Sequence, residues 1–326
     1  MLSEIPLFIN LKEIHSLILL FISHEDSAKR WRKALSVALP ELEFRFWPDE
    51  IGDPSEIDYI LAWKPPKGEI KRYPNLKAIL SIGAGIDHLA EDPELPSHIP
   101  VSRLVDRCLT QGMTEYILYW VIHHHRSFKE YKEFSANKEW RQIPQEDARK
   151  RRIGLLGLGE LGSNAAEKLA SLDYDVAGWS RSHKDIPNVQ SFHGPENLKP
   201  FLNRTDILIC LLPMTKETNG IINKKTLSQL PASAVVINCA RGAHVVDDDL
   251  IESIDMGHIS SAVLDVFHTE PLHPDHPFWS HPKITVTPHM ASLTVAHSAA
   301  DYVAENIRRV ERGENPLNMV DFSKGY

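Results

Sequence analysis

Short apolar runs alternate with amphipathic segments along the chain, and this alternation predicts parallel α/β architecture. The run from Leu17 to Ile22 predicts a first strand. Asp26 and Ser27 predict the start of a helix, because their side-chain oxygens can cap free backbone N–H groups. The apolar face of that helix contains Trp31, Ala34, Leu35 and Ala38. Further strands, each ending at turn residues, are predicted near Phe44–Trp47, Tyr59–Trp63 and Ala78–Ile82.

A long helix is predicted from about Gly112 to Tyr131, because apolar residues recur there at helical spacing and occupy more than one side. Such a helix suits a connector packed between domains or subunits. The alternation then restarts, with strands predicted near Ile153–Leu156, Asp175–Trp179, Ile207–Leu211, Val235–Asn238, Ala262–Asp265 and Ile284–Thr287. A last helix is predicted from Ala296 to Arg312, ending at Gly313. Two α/β halves follow, with a seam near residues 106–112.

The length and charge of the chain narrow its class. A chain of 326 residues is too long for one ordinary core, so two domains are expected. The formal net charge of −8 gives no electrostatic support to nucleic-acid binding. An anionic substrate would have to be attracted by local positive groups.

Cysteine usage and the N-terminal stretch favour a cytoplasmic protein. The three cysteines, Cys108, Cys210 and Cys239, are odd in number and form no CxxC motif, so disulfides and a cysteine zinc site are not expected. The apolar stretch from Leu7 to Ser23 is interrupted by polar residues, which argues against a membrane span. It also lacks the basic start and the cleavage site of a signal peptide.

A dinucleotide-binding motif follows the first strand of the second half. A GxGxxG sequence connects the apolar run 153–156 to an amphipathic segment with Ala165, Ala166, Leu169 and Ala170 on its inner side. Gly157 permits the tight turn, Gly159 lets the backbone approach a pyrophosphate, and Gly162 lets helix and strand pack closely. The predicted cofactor contacts are Gly157, Leu158, Gly159, Glu160, Leu161 and Gly162.

The next strand end favours NADP(H), with NAD(H) as the alternative. About 20 residues past the glycines, an acidic residue would bind the ribose 2′-OH of NAD. The chain has Ser180-Arg181-Ser182 there, and a guanidinium with two hydroxyls suits a 2′-phosphate. A surface cation without a ligand is the other interpretation of Arg181.

Ionisable residues follow three later strands, where open α/β sheets bind ligands. The segments are 238–242, with the sequence NCARG, 265–272, with the sequence DVFHTEPL, and 287–289, with the sequence TPH. Reduction of a keto acid needs a cation for the carboxylate, an acid for the nascent alkoxide and a carboxylate to orient that acid. Arg241, His289 and Glu270 meet these needs.

These motifs together resemble the D-isomer-specific 2-hydroxyacid dehydrogenases. Within that family, the chain most resembles the glyoxylate/hydroxypyruvate reductases. The likeness rests on the WKPP segment at 63–66, GAGID at 83–87, GAHVV at 242–246 and the terminal Gly325-Tyr326. It runs from about His15 to the end, so the first 14 residues resemble an extension.

The resemblance implies a role for each matched residue. Arg241 would bind the substrate carboxylate and carbonyl, His289 would give its proton to the carbonyl oxygen, and Glu270 would hold the other imidazole nitrogen. Asp265 would lie beside the nicotinamide amide. The cofactor groove would also include Leu211, Pro213, Thr218 and Ala240. Substrate contacts would come from Trp63, Gly83, Ala84, Gly85 and Arg241, with the N–H groups of Ala84 and Gly85 on the carboxylate.

The implied fold class is α/β, with two Rossmann-like domains, each a mostly parallel sheet flanked by helices. The substrate domain would be discontinuous, formed by residues 1–107 and 293–326, and residues 108–292 would bind NAD(P). The family is generally dimeric through the long connector helix, so a homodimer is expected. Trp140 follows that helix and has two interpretations: packing onto its own domain, or reaching the partner's substrate cleft, as in related reductases.

Other functions and sites remain as alternatives. A dinucleotide-sensing, corepressor-like protein can keep this fold, but the set of Arg241, Glu270 and His289 argues for turnover. Formate dehydrogenase typically has glutamine where this chain has Glu270, and phosphoglycerate or D-lactate are alternative substrates. No metal site is expected from His123-His124-His125, whose side chains diverge on a helix, nor from the loop histidines 268, 273, 276 and 281. A small keto or hydroxy acid is the expected partner, with no nucleic acid or membrane.

Overall fold

The computed structural model describes residues 16–322, so the first 14 residues and Gly325-Tyr326 lie outside the described residues. The strands are β1 (Leu17–Ile22), β2 (Leu42–Phe46), β3 (Tyr59–Ala62), β4 (Ala78–Ser81), β5 (Val101–Ser102), β6 (Arg152–Leu156), β7 (Asp175–Ser180), β8 (Val189–His193), β9 (Ile207–Cys210), β10 (Ala234–Asn238), β11 (Ile259–Leu264) and β12 (Ile284–Val286). The helices are α1 (Ala28–Ala38), α2 (Asp87–Ala90), α3 (Arg107–His125), α4 (Phe128–Ala136), α5 (Glu160–Ala170), α6 (Leu198–Asn203), α7 (Lys224–Leu227), α8 (Asp247–Asp255) and α9 (Ala296–Glu311). Short 3-10 helices lie at Pro54–Glu56, Ile70–Arg72, Ala148–Lys150, Pro195–Asn197, Gly242–His244 and Pro277–Trp279.

The strands form two parallel sheets, which confirms the predicted α/β class. The smaller sheet has the order β2-β1-β3-β4-β5, and the larger has the order β12-β11-β10-β9-β6-β7-β8. In the larger sheet β6 pairs with both β7 and β9, so the strand order reverses at β6. Open sheets of this kind bind ligands in the crevice beyond the strand ends at such a reversal.

The described part of the chain divides into two compact units. One unit contains the residues up to Leu104 together with Ala296–Val320, and the other contains Val105–Val295 with the last described residues. The boundaries predicted from the sequence, 107/108 and 292/293, each lie three residues from the boundaries in the structure. Each unit contains one of the two sheets.

The core of the larger sheet explains why its strands are apolar throughout. Val235 and Ile237 of β10 belong to one buried cluster, whereas Ala234 and Val236 belong to another. Successive side chains of a strand point to opposite faces, so both faces of this sheet are covered, as parallel sheets require. Helices α3 and α5 pack on the first of these faces.

The prediction of one long helix over residues 112–131 is wrong at both ends. Helix α3 starts five residues earlier, because the Asp106 carboxylate accepts hydrogen bonds from the N–H groups of Cys108 (2.9 Å) and Leu109 (3.2 Å). It ends at His125, and Ser127 has a left-handed backbone with φ of 55° that separates α3 from α4. The predicted single helix is therefore two.

The sequence prediction also misses two edge strands. Strand β5 has only two residues, and β8 has the mixed sequence VQSFH without an apolar run. Strand β8 pairs with β7 alone and is half-exposed, whereas β5 pairs with β4 and forms only an isolated antiparallel bridge, from Ser102 to Met319, on its other side. Neither strand therefore needs a long apolar run. Among the described residues, no helix is both long enough and apolar enough to cross a membrane.

Candidate active site

The glycine turn after β6 has the geometry of a phosphate-binding loop. Gly157 has a φ of 104°, which side chains rarely adopt, and a Cβ on Gly162 would lie 2.0 Å from the Gly157 carbonyl oxygen. A Cβ on Gly159 would meet nothing within 4 Å, so the chain itself does not require glycine there. Helix α5 starts at Glu160 without a side-chain cap, which leaves its first N–H groups for an anion.

The neighbouring loop after β9 lies against this turn. A Cβ on Gly157 would approach the backbone of Leu211 to 2.8 Å, so the two loops that flank the strand-order reversal are in contact. Thr218 donates a hydrogen bond from its hydroxyl to the Pro213 carbonyl (2.7 Å), which closes the turn that follows. The turn therefore brings Leu211, Pro213 and Thr218 together on one side of the glycine loop.

The end of β7 exposes Arg181. The Ser180 hydroxyl is buried and donates to the Ser182 carbonyl (2.7 Å), so it shapes the turn. Arg181 and Ser182 are exposed. The pKa of Glu217 is below its usual range, first because its carboxylate accepts its own backbone N–H, and Arg181 adds a smaller electrostatic effect. Arg181 thus lies within electrostatic reach of the loop after β9.

The three segments predicted to be catalytic follow β10, β11 and β12, which are adjacent and parallel. Their carboxyl ends meet at one edge of the sheet. A Cβ on Gly242 would lie 2.0 Å from the Phe267 carbonyl carbon, so only glycine permits the segment after β10 to contact the one after β11. Arg241 directly precedes this contact and is half-buried. Ala240 is buried beside it.

His289 and Glu270 form a close pair at this edge. The Nδ1 atom of His289 lies 2.7 Å from a carboxylate oxygen of Glu270, and the other oxygen accepts the Phe267 N–H at 3.1 Å. Both side chains are partly exposed. Because Nδ1 is engaged, Nε2 is the nitrogen that can exchange a proton with a substrate. His289 has a left-handed backbone with φ of 50°, the kind of strain that functional sites retain.

Asp265 anchors the segment that contains His289. Its buried carboxylate accepts hydrogen bonds from the Thr287 hydroxyl (2.6 Å) and from the N–H groups of Met290 and Ala291 (both 2.9 Å). Burial raises the pKa of Asp265 above its usual range, against the smaller lowering effect of these bonds. The predicted contact of Asp265 with the nicotinamide stays a prediction.

Sequence reasoning missed two residues that support this anchor. The Tyr116 hydroxyl of α3 lies 2.8 Å from the Thr287 hydroxyl, which in turn donates to Asp265. Thr287 belongs to the TPH motif and could have been singled out. Tyr116 has no signal in the sequence beyond its place on an apolar helix face.

The predicted substrate loop lies at the carboxyl edge of the smaller sheet. A Cβ on Gly83 would lie 2.5 Å from the Trp63 ring, so glycine allows the indole to lie against this loop. The Gly83 N–H donates to the Ser81 hydroxyl (3.2 Å), whereas the N–H groups of Ala84 and Gly85 donate to no other described residue. These two groups can therefore bind an anion.

Two further features concern the surface. Trp140 is 99% exposed, so its expected packing onto its own domain is wrong, and Arg141 beside it stacks over the Phe134 ring instead. Within residues 16–322, no group of three or more His, Cys, Asp or Glu side chains is arranged to hold a metal ion. In two of the loop histidines, His268 and His276, the Nε2 atom lies 3.5 Å from a carboxylate oxygen of Asp247.

Curated proteins similar to this chain are reductases. Glyoxylate/hydroxypyruvate reductase A of Serratia proteamaculans is 41% identical over 305 residues, covering 92% of this chain and 97% of that protein. The protein of the same name from Yersinia enterocolitica is 40% identical over 304 residues, covering 92% and 96%.

Solved structures agree with the fold. A D-isomer specific 2-hydroxyacid dehydrogenase of Xanthobacter autotrophicus, crystallised with NADPH and MES, has a TM-score of 0.92 and 42% identity, covering 95% of this chain and all of that one. An NADPH-dependent glyoxylate/hydroxypyruvate reductase of Sinorhizobium meliloti, with NADP and sulfate, has a TM-score of 0.89 and 36% identity at 95% and 100% coverage.

The family model for the D-isomer specific 2-hydroxyacid dehydrogenase NAD-binding domain matches residues 118–291. This range contains the glycine loop and all three segments that follow β10, β11 and β12. The match confirms the resemblance predicted from the motifs. The chain belongs to the D-isomer specific 2-hydroxyacid dehydrogenase family.

Proposed function

We propose that this protein is an NADPH-preferring reductase that converts glyoxylate, hydroxypyruvate and related small 2-keto acids to 2-hydroxy acids. The observation that supports it best is the His289–Glu270 pair, with 2.7 Å between Nδ1 and the carboxylate. A carboxylate on Nδ1 fixes the orientation of the ring and leaves Nε2 as the nitrogen that can give a proton to a carbonyl oxygen. The names of the similar curated proteins support the choice of substrate.

Each of these residues has a distinct role in the proposed reaction. Arg241 holds the substrate carboxylate with its forked donors. In the unit with the smaller sheet, the N–H groups of Ala84 and Gly85 are the donors proposed for an anion. His289 gives the proton on Nε2 to the carbonyl oxygen, and Glu270 keeps the ring oriented. The bound nicotinamide supplies the hydride. The side chains that anchor these groups are already hydrogen-bonded within the chain, so little reorganisation is needed.

The glycine loop and the end of β7 hold the cofactor in this proposal. The N–H groups at the start of α5 bind the pyrophosphate, and Arg181 with Ser182 binds the adenosine 2′-phosphate. The absence of an acidic residue at positions 180–182 supports NADP(H) over NAD(H), and two similar structures hold NADPH or NADP. NAD(H) remains usable, because the pyrophosphate contacts are common to both cofactors.

A homodimer is part of the proposal. Tyr119 on α3 is 57% exposed, Phe128 at the start of α4 is 52% exposed, and Trp140, four residues after α4, is also exposed. Exposed aromatic residues on consecutive elements favour a protein interface over a solvated surface. The predicted pairing of connector helices would cover them.

A cytoplasmic location completes the proposal. Cys108 is exposed, Cys210 and Cys239 are buried, and all three are free thiols. Burial raises the pKa of Cys210 to about 12, so this thiol stays protonated and inert. Free thiols of this kind are typical of a reducing compartment.

Oxidation of NADPH by the purified protein tests the proposal. Glyoxylate, hydroxypyruvate, pyruvate and phenylpyruvate are compared, with 3-phosphoglycerate and D-lactate assayed in the oxidative direction with NADP and NAD. We expect the highest kcat/KM with glyoxylate or hydroxypyruvate and NADPH. Cofactor binding without turnover of any substrate would instead support the sensor alternative, and preference for D-lactate or phosphoglycerate would replace the proposed substrate.

A further inference from the structure

Three loops of the smaller sheet meet at the predicted substrate loop. Strands β1, β3 and β4 are adjacent and parallel, so the residues that follow them lie at the same edge. Glu25 follows β1, Trp63 and Lys64 follow β3, and the loop 83–85 follows β4. The resemblance to the family assigns no role to Glu25 or to the charge of Lys64.

One carboxylate connects the first two loops. An oxygen of Glu25 accepts the indole N–H of Trp63 at 2.8 Å, and its other oxygen lies 3.0 Å from Lys64 Nζ. The Lys64 ammonium also lies 5.8 Å from the Trp63 ring centre. The indole also packs against the His88 ring of α2, with 4.5 Å between ring centres. The indole is thus held by a hydrogen bond and by a ring contact.

Folding alone does not account for this arrangement. The side chains of Glu25 and Lys64 are 57% and 41% exposed, and ion pairs at such exposure contribute little to stability. Lys64 has a left-handed backbone with φ of 47°, a strained conformation for a residue with a side chain. Backbone strain of this kind clusters at functional sites.

The held indole lies against the candidate carboxylate loop. Its Cζ3 atom occupies the space that a Cβ on Gly83 would need, 2.5 Å away. The next two residues are Ala84 and Gly85, whose N–H groups are expected to bind the substrate carboxylate. A change in the tilt of Trp63 would therefore change the surroundings of that carboxylate.

We propose that Glu25 is a positioning residue for substrate selection. Its carboxylate fixes the Trp63 indole against Gly83 and neutralises Lys64, so this edge presents an apolar wall without net positive charge. A keto acid with one carboxylate fits such a wall. A second carboxylate, as in oxaloacetate, finds no cation there, because Lys64 is already paired with Glu25. This inference rests on the proposed keto-acid reductase function.

Four variants separate the two contributions of Glu25. Glu25→Ala removes both contacts, whereas Glu25→Gln keeps a carbonyl acceptor for the indole N–H but removes the charge. Adding Lys64→Met to Glu25→Gln removes the released cation. Glu41→Gln, at an exposed site before β2, is the matched control. Steady-state kinetics with NADPH are measured for hydroxypyruvate and oxaloacetate, and the thermal midpoint of each variant is recorded.

We expect Glu25→Ala to raise the KM for hydroxypyruvate about 3- to 10-fold, the size of one ordinary hydrogen bond, with kcat changed less than about twofold. Glu25→Gln should raise this KM less. It should also increase kcat/KM for oxaloacetate relative to hydroxypyruvate, and the added Lys64→Met should cancel that increase. A merely structural role would lower the thermal midpoint and the active fraction without this charge selectivity.

Wild-type turnover of hydroxypyruvate is measured first. If the wild type reduces no keto acid, the proposed function fails and this inference fails with it. If the wild type is active but Glu25→Ala leaves the KM unchanged, the positioning role alone is overturned. The proposal that Glu25 neutralises Lys64 is overturned by either of two results. One is that Glu25→Gln leaves the ratio of kcat/KM for oxaloacetate over hydroxypyruvate unchanged. The other is that adding Lys64→Met does not cancel an increase in this ratio.

Discussion

At the scale of single residues, the proposed acid is held in place entirely by groups at the ends of neighbouring strands. Asp265 directly follows β11 and anchors Met290 and Ala291, the two residues after His289. Glu270 fixes the ring itself. The backbone strain at His289 is thus balanced by three hydrogen bonds to buried or half-buried carboxylates. Precise orientation of one nitrogen is what proton transfer requires.

Replacement of His289 by alanine tests the acid. General acid catalysis contributes about 10²–10⁴-fold, so we expect His289→Ala to lower kcat for hydroxypyruvate by a comparable factor. The dissociation constant for NADPH, measured by fluorescence titration, should stay nearly the same, because the proposed role of His289 is proton transfer to the substrate and not cofactor binding. His98→Ala, at an exposed position of the smaller sheet's unit, is the control. Wild-type kcat in His289→Ala would assign the proton transfer to another group.

Replacement of Arg181 tests recognition of the 2′-phosphate. Hydrogen bonds to charged groups contribute about 1.5–3 kcal/mol, so Arg181→Ala should weaken the binding of NADPH by roughly 10- to 150-fold. NADH lacks the phosphate and should be affected much less. Lys184→Ala, three residues further on and also exposed, is the matched control. Equal losses of kcat/KM with both cofactors would contradict the assignment.

At the scale of elements, strands were predictable where both faces are buried. All but one of the residues predicted for β1, β6, β9 and β10 belong to the observed strands, because a buried parallel strand needs an unbroken apolar run. Strand β8 is half-exposed, and β5 is buried but has only two residues, so neither contains an apolar run that predicts a strand. The start of α3 could have been predicted from Asp106, which caps the helix. The end of α3 depends on the left-handed backbone of Ser127, which the residue type does not predict.

The site was predictable only in part for a related reason. GxGxxG and TPH are local motifs, and their residues lie where the sequence indicated. The contact between Glu25 and Trp63 and the one between Tyr116 and Thr287 join residues 38 and 171 positions apart. Such pairs follow from strand order and helix packing, which a single sequence does not specify.

The last turn of α3 contains a histidine that should make stability depend on pH. Burial lowers the pKa of His124 from 6.5 to about 4, with nearby His123, Lys129 and Arg151 adding to the effect, and its buried Nε2 has no hydrogen-bond partner among the described residues. The native state therefore resists protonation. The corresponding stability is present above about pH 6.5 and is lost as the pH falls toward 4.

We expect His124→Leu to remove part of this pH dependence. The shift in pKa corresponds to about 3 kcal/mol, so the wild type should lose about that much more free energy of unfolding than the variant between pH 7 and pH 4. Urea unfolding at both pH values, at one protein concentration, measures it. His98→Leu, at an exposed site, serves as the control. A parallel loss in wild type and His124→Leu would show that His124 is protonated freely in the native state.

At the scale of the whole molecule, the overall charge opposes the proposed ligands. The chain has a formal net charge of −8, and both NADPH and a keto acid are anionic. Attraction must therefore come from local groups: the cations Arg181 and Arg241 and the free N–H groups at helix and loop starts. In the proposal made above, the Trp63 indole then selects among these anions by shape and charge.

Trp140 tests whether a second subunit contributes to that selection. It is 99% exposed, so it has no packing role within its own chain, and an exposed indole after two helices with exposed aromatic residues suits a contact across a two-fold axis. If it forms a wall of the partner's substrate site, it should discriminate between keto-acid side chains that differ by a hydroxyl or a methylene-sized group. Such differences are worth about 1–3 kcal/mol, or roughly 5- to 150-fold in kcat/KM.

We therefore expect Trp140→Ala to change the ratio of kcat/KM for hydroxypyruvate over pyruvate, while its sedimentation coefficient stays that of the wild type, which we propose to be a dimer. Trp279→Ala is the control, because Trp279 is also exposed (52%) but donates its indole N–H to the His273 carbonyl of its own chain. Mixed dimers formed from Trp140→Ala and His289→Ala subunits sharpen the test. In such a dimer the subunit with an intact His289 is the Trp140→Ala subunit, and its partner has the intact tryptophan. A tryptophan that acts across the dimer would therefore give the wild-type ratio, whereas a tryptophan that acts within its own chain would give the changed ratio. An unchanged ratio in the Trp140→Ala homodimer would remove Trp140 from substrate selection altogether.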